Sequence, residues 1–187
     1  MKRIVLVLIA LIFVLASYCP APAASAKGSD EAEIKALEQR IADAWDVAAI
    51  SNAPLVATHS SAHALSPHSR NLIDSQLAAI RETGGIVGVN FATSFLRRDG
   101  GHDVDTPIEL VIEHLEHILK HVGEDGVCFG SDFDGARIPA AIGNAAGLQN
   151  LVEVMRTRGY GEPLIEKLCY RNWLRVLGQT WGRVHTR

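Results

Sequence analysis

The stretch Gly84-Gly85-Ile86-Val87-Gly88-Val89-Asn90-Phe91 decides the fold of this chain. Its two leading glycines end a helix of about ten residues that begins near Asp74. The run that follows is almost entirely apolar and has the length of a strand. A strand that is apolar on both faces is typical of a parallel sheet covered by helices. The stretch therefore predicts a buried parallel strand with a polar residue, Asn90, near its carboxyl end.

The order of strand, loop and helix is repeated on both sides of this stretch. Pro54 to Thr58 predicts a strand ending at His59, and Val127 to Gly130 predicts a strand ending at Ser131-Asp132. Further predicted helices cover about 29–50, 106–123, 147–158 and 163–177, with Gly178 ending the last. Strands that alternate with helices indicate right-handed crossovers, so the pattern predicts an α/β domain with a parallel sheet.

The third helix has a strong local start signal. Thr106-Pro107-Ile108-Glu109 places a threonine at the N-cap, a proline at the first helical position and a capping-box glutamate at the third. The Arg-, Asp- and Gly-rich residues 92–105 before it predict an irregular loop.

The first 26 residues have the pattern of a signal peptide. Lys2 and Arg3 precede an apolar run of 13 residues from Ile4 to Ala16, and small residues around position 26 provide cleavage sites. We expect residues 27–187 to form the mature domain and to be exported, either to a periplasm or out of the cell. An uncleaved signal that anchors the chain in a membrane is the alternative.

The composition is that of an ordinary globular protein, which excludes disordered, collagen-like and disulfide-scaffold classes. The chain has 187 residues, 48% of them hydrophobic, and a formal net charge of −3. Without Lys2 and Arg3 the mature part is more acidic still, so a nucleic-acid partner is not expected. Cys128 and Cys169 lie in apolar patterns and are expected to be packing residues.

Polar residues at the predicted strand ends are the candidate site. His59, Asn90 and the pair Asp132 and Asp134 follow or end three strands, and ligands of parallel α/β folds bind at that edge. Arg70, in the loop after His59, has a side chain suited to a carboxylate, although a solvated arginine is the alternative. Asp132 is a candidate metal ligand, general acid or base, or partner of an ammonium group, or merely a turn cap.

His114 and His117 offer a further metal hypothesis. They are three residues apart, and the zinc-binding helix motif His-Glu-x-x-His needs a spacing of four. We therefore interpret them as part of a partly exposed helix face.

Several ordered motifs resemble one family, the membrane (renal-type) dipeptidases, peptidase family M19. They are Thr58-His59-Ser60-Ser61-Ala62, Ser69-Arg70-Asn71-Leu72, Gly84 to Phe91, His114-Leu115-Glu116-His117-Ile118, Gly130-Ser131-Asp132-Phe133-Asp134-Gly135, Arg158-Gly159-Tyr160 and Asn172 to Leu177. The resemblance covers about residues 43–178 and implies a metal-dependent (β/α)8 TIM barrel in which two zinc ions activate a water molecule that hydrolyses dipeptides.

The resemblance also implies site roles. His59 matches a histidine ligand of the second zinc, and Arg70 matches the arginine that binds the substrate carboxylate. Asp132 matches the aspartate near the substrate amine, which assists protonation of the leaving nitrogen. Asn90 and Asp134 lie in matching motifs without an implied role.

The chain departs from the family pattern in its metal ligands. Family members carry an early His-x-Asp, a bridging glutamate and another histidine before the His59 motif, and residues 27–50 contain no histidine. We therefore expect about three strand-helix units, the C-terminal portion of the barrel, in a truncated dipeptidase that is inactive alone. A complementing N-terminal half or a homo-oligomer would be its partner. The alternative is a non-catalytic exported binding module derived from the same barrel.

Overall fold

The structure, a computed structural model, describes residues 28–181, so the predicted signal peptide lies outside the described residues. The helices are α1 (Gly28–Ile50), α2 (Asp74–Glu82), α3 (Thr93–Leu96), α4 (Glu109–Val122), α5 (Leu148–Thr157), α6 (Glu162–Glu166) and α7 (Asn172–Trp181). The strands are β1 (Val56–Ser60), β2 (Ile86–Val89) and β3 (Val127–Phe129). The chain divides into two compact units between Gln39 and Arg40, and the sheet belongs to the second unit.

The three strands form one parallel sheet in the order β1-β2-β3. Val87 of β2 pairs with Ala57 on one side and with Val127 on the other. Every residue of β2 is buried, as a strand covered on both faces must be. The predicted α/β class and parallel sheet are therefore confirmed. β1 is shifted from its predicted bounds, so that His59 lies within the strand and the pairing becomes irregular before Ser60.

Two glycines of the sheet make room for a backbone carbonyl of β1. A Cβ added at Gly88 would lie 2.1 Å from the carbonyl oxygen of Thr58, and one added at Gly130 would lie 2.4 Å from the same oxygen. Both distances are far inside van der Waals contact. This close approach of backbones requires glycine at both positions.

Two side chains of α7 donate hydrogen bonds to backbone carbonyls in and just before β3. The amide of Asn172, only 2% exposed, donates to the carbonyl oxygens of Glu124 at 2.6 Å and of Val127 at 2.7 Å. The indole of Trp173 donates to the carbonyl oxygen of Phe129 at 3.0 Å. These bonds satisfy two backbone acceptors of β3 and one acceptor of the turn before it.

The capping box predicted for the third helix is wrong. The hydroxyl of Thr106 donates to the carbonyl oxygen of Asp103 at 2.5 Å, and α4 begins at Glu109. Thr106 therefore belongs to the turn before the helix, because Ile108 occupies the N-cap position and no side chain caps α4.

Two other boundaries differ from the prediction. The loop 92–105 contains the short helix α3, whose Thr93, Ser94 and Leu96 are buried. The single helix predicted over 163–177 consists of α6, a π-helical turn (Lys167–Arg171) and α7, and it continues past Gly178 to Trp181. Gly178 continues the helix, and a Cβ added there would have no atom within 4 Å beyond the backbone of its own helix. Glycine lowers helix stability by only about 1 kcal/mol, which tertiary packing overrides.

The described part of the chain contains two cysteines. Cys128 is buried and Cys169 half-buried, and both are free thiols. Among residues 28–181, no helix combines the length and the apolar character that crossing a bilayer requires.

Candidate functional site

A cleft of about 480 Å³ lies among the loops that follow the three strands. Its charged or titratable lining side chains are Arg70, Arg137, Asp132, His68 and His102. The position is the one where parallel α/β sheets bind ligands. The sequence-predicted residues Arg70 and Asp132, 62 positions apart, therefore meet at one cavity.

His59 and Arg70 are in direct contact beside this cleft. Nε2 of His59 lies 3.0 Å from a terminal guanidinium nitrogen of Arg70, and Nδ1 lies 2.7 Å from the hydroxyl oxygen of Thr58. A guanidinium can only donate, so Nε2 accepts and the ring hydrogen of this tautomer lies on Nδ1. The imidazole thus holds the guanidinium in place.

The loop that carries Arg70 is fixed by a buried asparagine. The amide nitrogen of Asn71 donates to the carbonyl oxygens of Ser66 at 2.9 Å and Phe95 at 2.8 Å, and its oxygen accepts from the Ser61 amide. The ring of Phe95 lies 5.6 Å from the guanidinium carbon of Arg70, within cation–π distance. The guanidinium of Arg70 is therefore held by the imidazole of His59 and by the ring of Phe95.

The backbone of the Ser131-Asp132 pair is unusual. Both residues have positive φ, 24° at Ser131 and 69° at Asp132, the left-handed region that favours glycine. Gly135 leaves space for the carboxylate, because a Cβ there would lie 2.3 Å from Oδ1 of Asp132. This turn directs Asp132 into the cleft and leaves Asp134 exposed.

Asn90 positions the Asp132 carboxylate. Its side chain is completely buried, donates to Oδ2 of Asp132 at 3.1 Å and accepts from the amide of Ala92 at 2.6 Å. The sequence analysis placed Asn90 at the carboxyl edge of the sheet and assigned it no role. The structure makes it a positioning residue, since it binds one carboxylate oxygen while its own backbone bonds hold it rigid.

The fixed charge of the cleft is mainly positive. Burial lowers the pKa of His68, and the nearby positive charge of Arg70, with His102 and His63, lowers the pKa further. Because that histidine is uncharged near pH 7, the two lining arginines supply the positive charge and Asp132 the negative charge. Such a cavity suits a small ligand that carries a carboxylate and an ammonium group.

The described residues do not fit a zinc pair at His59. Catalytic zinc needs about three protein ligands. Between residues 28 and 181, the sole cluster of three ligand atoms close enough for one metal ion is Asp74, His117 and His121, which does not include His59. Nε2 of His59 also faces a guanidinium cation. The zinc-ligand role of His59 stays a prediction.

The expectation of a partly exposed histidine face is wrong for His114. This side chain is 1% exposed, accepts from the amide of Ala62 at 2.9 Å and donates to the carbonyl oxygen of Leu96 at 3.0 Å. Burial lowers its pKa to about 4, so it is an uncharged structural residue. His117 agrees with the expectation, because its side chain is 19% exposed.

Sequence reasoning missed His121. It follows His117 by four residues on α4, which is the spacing of the zinc-helix motif, whereas His114 and His117 are three apart. The carboxylate of Asp74 at the start of α2 joins them, with Oδ1 2.7 Å from Nε2 of His117 and Oδ2 3.7 Å from Nε2 of His121.

The parallel sheet with a charged cleft at its carboxyl edge is the arrangement in which α/β proteins bind ligands. The family model of the membrane dipeptidases, peptidase family M19, matches residues 41–184. The chain belongs to this family.

Known proteins agree with this assignment. An uncharacterised protein from the pqqA 5′ region of Klebsiella pneumoniae is 51% identical over 73% of this chain and 51% of its own length. The dipeptidase ataJ of Aspergillus terreus is 34% identical over 72% of this chain and 32% of its own length. A metallo peptidase of Rhodobacter sphaeroides, crystallised with a phosphinate mimic of the dipeptide L-Ala-D-Ala, is 56% identical, with a TM-score of 0.71 over 73% of this chain and 39% of that one. The chain thus spans about half or less of the length of these relatives.

Proposed function

We propose that this chain supplies the substrate-binding side of a zinc-dependent dipeptidase centre. The single observation that carries the proposal is the cleft into which Arg70 and Asp132 both project. The three parallel strands would correspond to about three strand-helix units of a (β/α)8 barrel, a fold that places its active site at this edge of the sheet.

A dipeptide matches the charges of the cleft at both ends. Its carboxylate would pair with Arg70, whose planar guanidinium favours bidentate binding of a carboxylate. Its ammonium group would pair with Asp132, because Asn90 occupies Oδ2 and leaves Oδ1 for the ligand. During hydrolysis Asp132 would also take the proton released by the attacking water and pass it to the departing amine.

Hydrolysis requires more ligands than the described residues provide. Zinc, when bound in such a centre, lowers the pKa of a coordinated water and polarises the scissile carbonyl. Because a zinc pair does not fit at His59 in the described part of the chain, further ligands would come from outside it or from a complementing chain. We infer that residues 28–181 bind a dipeptide without cleaving it.

The place of action is proposed from the sequence alone. The predicted signal peptide would direct the chain out of the cytoplasm.

Replacing Arg70 with alanine should weaken binding of L-Ala-D-Ala by about tenfold to a hundredfold, the value of a lost charge-assisted hydrogen-bond pair. The measurement is a calorimetric or NMR titration with a chelator present. The affinity of Arg70→Lys should lie between those of the parent and of Arg70→Ala, because lysine keeps the positive charge but cannot bind a carboxylate in a bidentate way.

Two controls separate carboxylate recognition from general damage. Arg98→Ala removes an exposed arginine that does not line the cleft, so its affinity should equal that of the parent. The amide L-alanyl-D-alaninamide lacks the carboxylate, and Arg70→Ala should not change its binding. Equal losses for acid and amide would argue against the proposed role of Arg70.

The purified chain with added zinc should not hydrolyse dipeptides above the blank rate. An amine-release assay on L-Ala-D-Ala measures this directly. Turnover that depends on zinc and disappears in His59→Ala would instead make the chain a complete dipeptidase. Turnover that appears only with a second polypeptide carrying His-x-Asp and the bridging glutamate would support complementation.

A further inference from the structure

Two histidines of α4 converge on one carboxylate of α2. His117 and His121 are one helical turn apart, on the same face, with ring centroids 4.7 Å apart and a tilt of 31°. Asp74 begins α2 and presents one oxygen to each imidazole, at 2.7 Å and 3.7 Å. The three ligand atoms all lie within 4.8 Å of one another. None of the three residues lines the cleft.

The spacing of these atoms is close to that of a metal site. Zinc binds imidazole nitrogen and carboxylate oxygen at about 2.0–2.2 Å, so neighbouring ligands of a tetrahedral ion are about 3.3 Å apart. Nε2 of His117 lies 2.7 Å from Oδ1 of Asp74 and Nε2 of His121 lies 3.7 Å from Oδ2, so the carboxylate presents a different oxygen to each imidazole. The three ligand atoms lie within 4.8 Å of one another, so the side chains would rotate to close on an ion.

A plain ion pair accounts for only part of this arrangement. The contact between Asp74 and His117 satisfies one imidazole, whereas His121 turns its own Nε2 toward the second oxygen of the same carboxylate. The side chains of Asp74, His117 and His121 are 50%, 19% and 26% exposed, so a dissolved ion can reach all three. Two nitrogen donors and one oxygen donor select borderline divalent ions such as zinc over calcium or magnesium.

We propose that Asp74, His117 and His121 form a zinc-binding site that links α2 to α4 and is separate from the dipeptide cleft. With three protein ligands, the fourth position is open to water. An ion held between two helices binds the folded chain and not the unfolded one, so it raises the free energy of unfolding in proportion to the logarithm of its concentration. Zinc bound at this site would therefore stabilise the folded chain.

The test uses the full chain, stripped of metal with a chelator and then titrated with zinc. We expect one zinc per chain at this site and a rise in the thermal unfolding midpoint on zinc addition. His121→Gln should weaken the affinity at least about tenfold, since one of three ligands is lost. The double variant H117Q/H121Q should lose both the binding and the thermal shift. Cobalt bound to the parent should give the visible absorption of a four-coordinate site, which the double variant lacks.

Controls distinguish this site from the cleft and from misfolding. His59→Gln and the helix-surface change Glu113→Gln should bind zinc as the parent does. Asp74→Asn, which keeps the size of the side chain, should weaken binding even if the double variant folds poorly. A parent chain that zinc does not stabilise would overturn the proposal. So would zinc that persists in H117Q/H121Q and disappears in His59→Gln. Dipeptide binding takes no part in these measurements, so they are independent of the proposed function.

Discussion

Replacing Gly88 with alanine is expected to destabilise the folded chain by about 3 kcal/mol or more. The added Cβ would lie 2.1 Å from the carbonyl oxygen of Thr58 and 2.9 Å from the Cα of Gly130. Both are backbone atoms, which cannot rotate away as a side chain can, so β1 or β3 must move from β2. Overpacking of this kind costs about 1–3 kcal/mol and more where the surroundings are rigid. The total free energy of unfolding of a domain of this size is only about 5–15 kcal/mol.

Urea unfolding followed by circular dichroism measures this effect, and a second glycine provides the matched control. Gly178 lies in α7 with no atom within 4 Å of an added Cβ. Gly178→Ala should therefore stabilise the chain by up to about 1 kcal/mol, the difference in helix propensity between the two residues. A Gly88→Ala variant as stable as the parent would mean that the strands are not as close as described.

Replacing His114 with phenylalanine is expected to cost about 2–4 kcal/mol. The ring would still fill the space between α4 and the loops, but the Ala62 amide and the Leu96 carbonyl would lose their partners in the interior. Each buried backbone group without a hydrogen bond costs about 1–3 kcal/mol. His102→Gln, a change at an exposed histidine, should have little effect on stability.

Acid provides a second readout for His114. Its pKa falls from 6.5 to about 4 in the folded chain because burial disfavours the charged ring. The unfolded chain therefore binds the proton first as the pH falls. The contribution of His114 is fully present above about pH 6.5 and is lost progressively toward pH 4, by up to about 3 kcal/mol. The phenylalanine variant should lack this part of the acid sensitivity, and a parent and variant with parallel pH profiles would contradict the assignment.

The sheet was predictable because its signals are local. Apolar runs bounded by glycines identify β2 and its neighbours, and the alternation with helices determines that the strands are parallel. The same reasoning placed both Asp132 and Asp134 at the carboxyl edge of the sheet, and the structure brings Asp132 into the cleft and leaves Asp134 exposed. The failures have equally local causes. Thr106 has the type and spacing of a cap, but α4 begins two residues later than predicted, at Glu109, and leaves Thr106 in the preceding turn.

Contacts between distant segments could not be predicted. Nothing near His114 in the sequence indicates that it accepts from Ala62, 52 residues earlier. The bond from Asn90 to Asp132 and the contact of His59 with Arg70 depend in the same way on how loops pack over the strand ends. The His117 and His121 pair is different, because its spacing was visible and only the third ligand, Asp74, needed the fold.

The left-handed turn at Ser131-Asp132 has a consequence for how this chain evolves. Residues other than glycine held at positive φ cost about 1–3 kcal/mol each, so a chain selected only for stability would favour glycine at position 132. Glycine there would relieve the backbone and remove the carboxylate from the cleft. Folding and ligand binding thus make opposing demands on one residue.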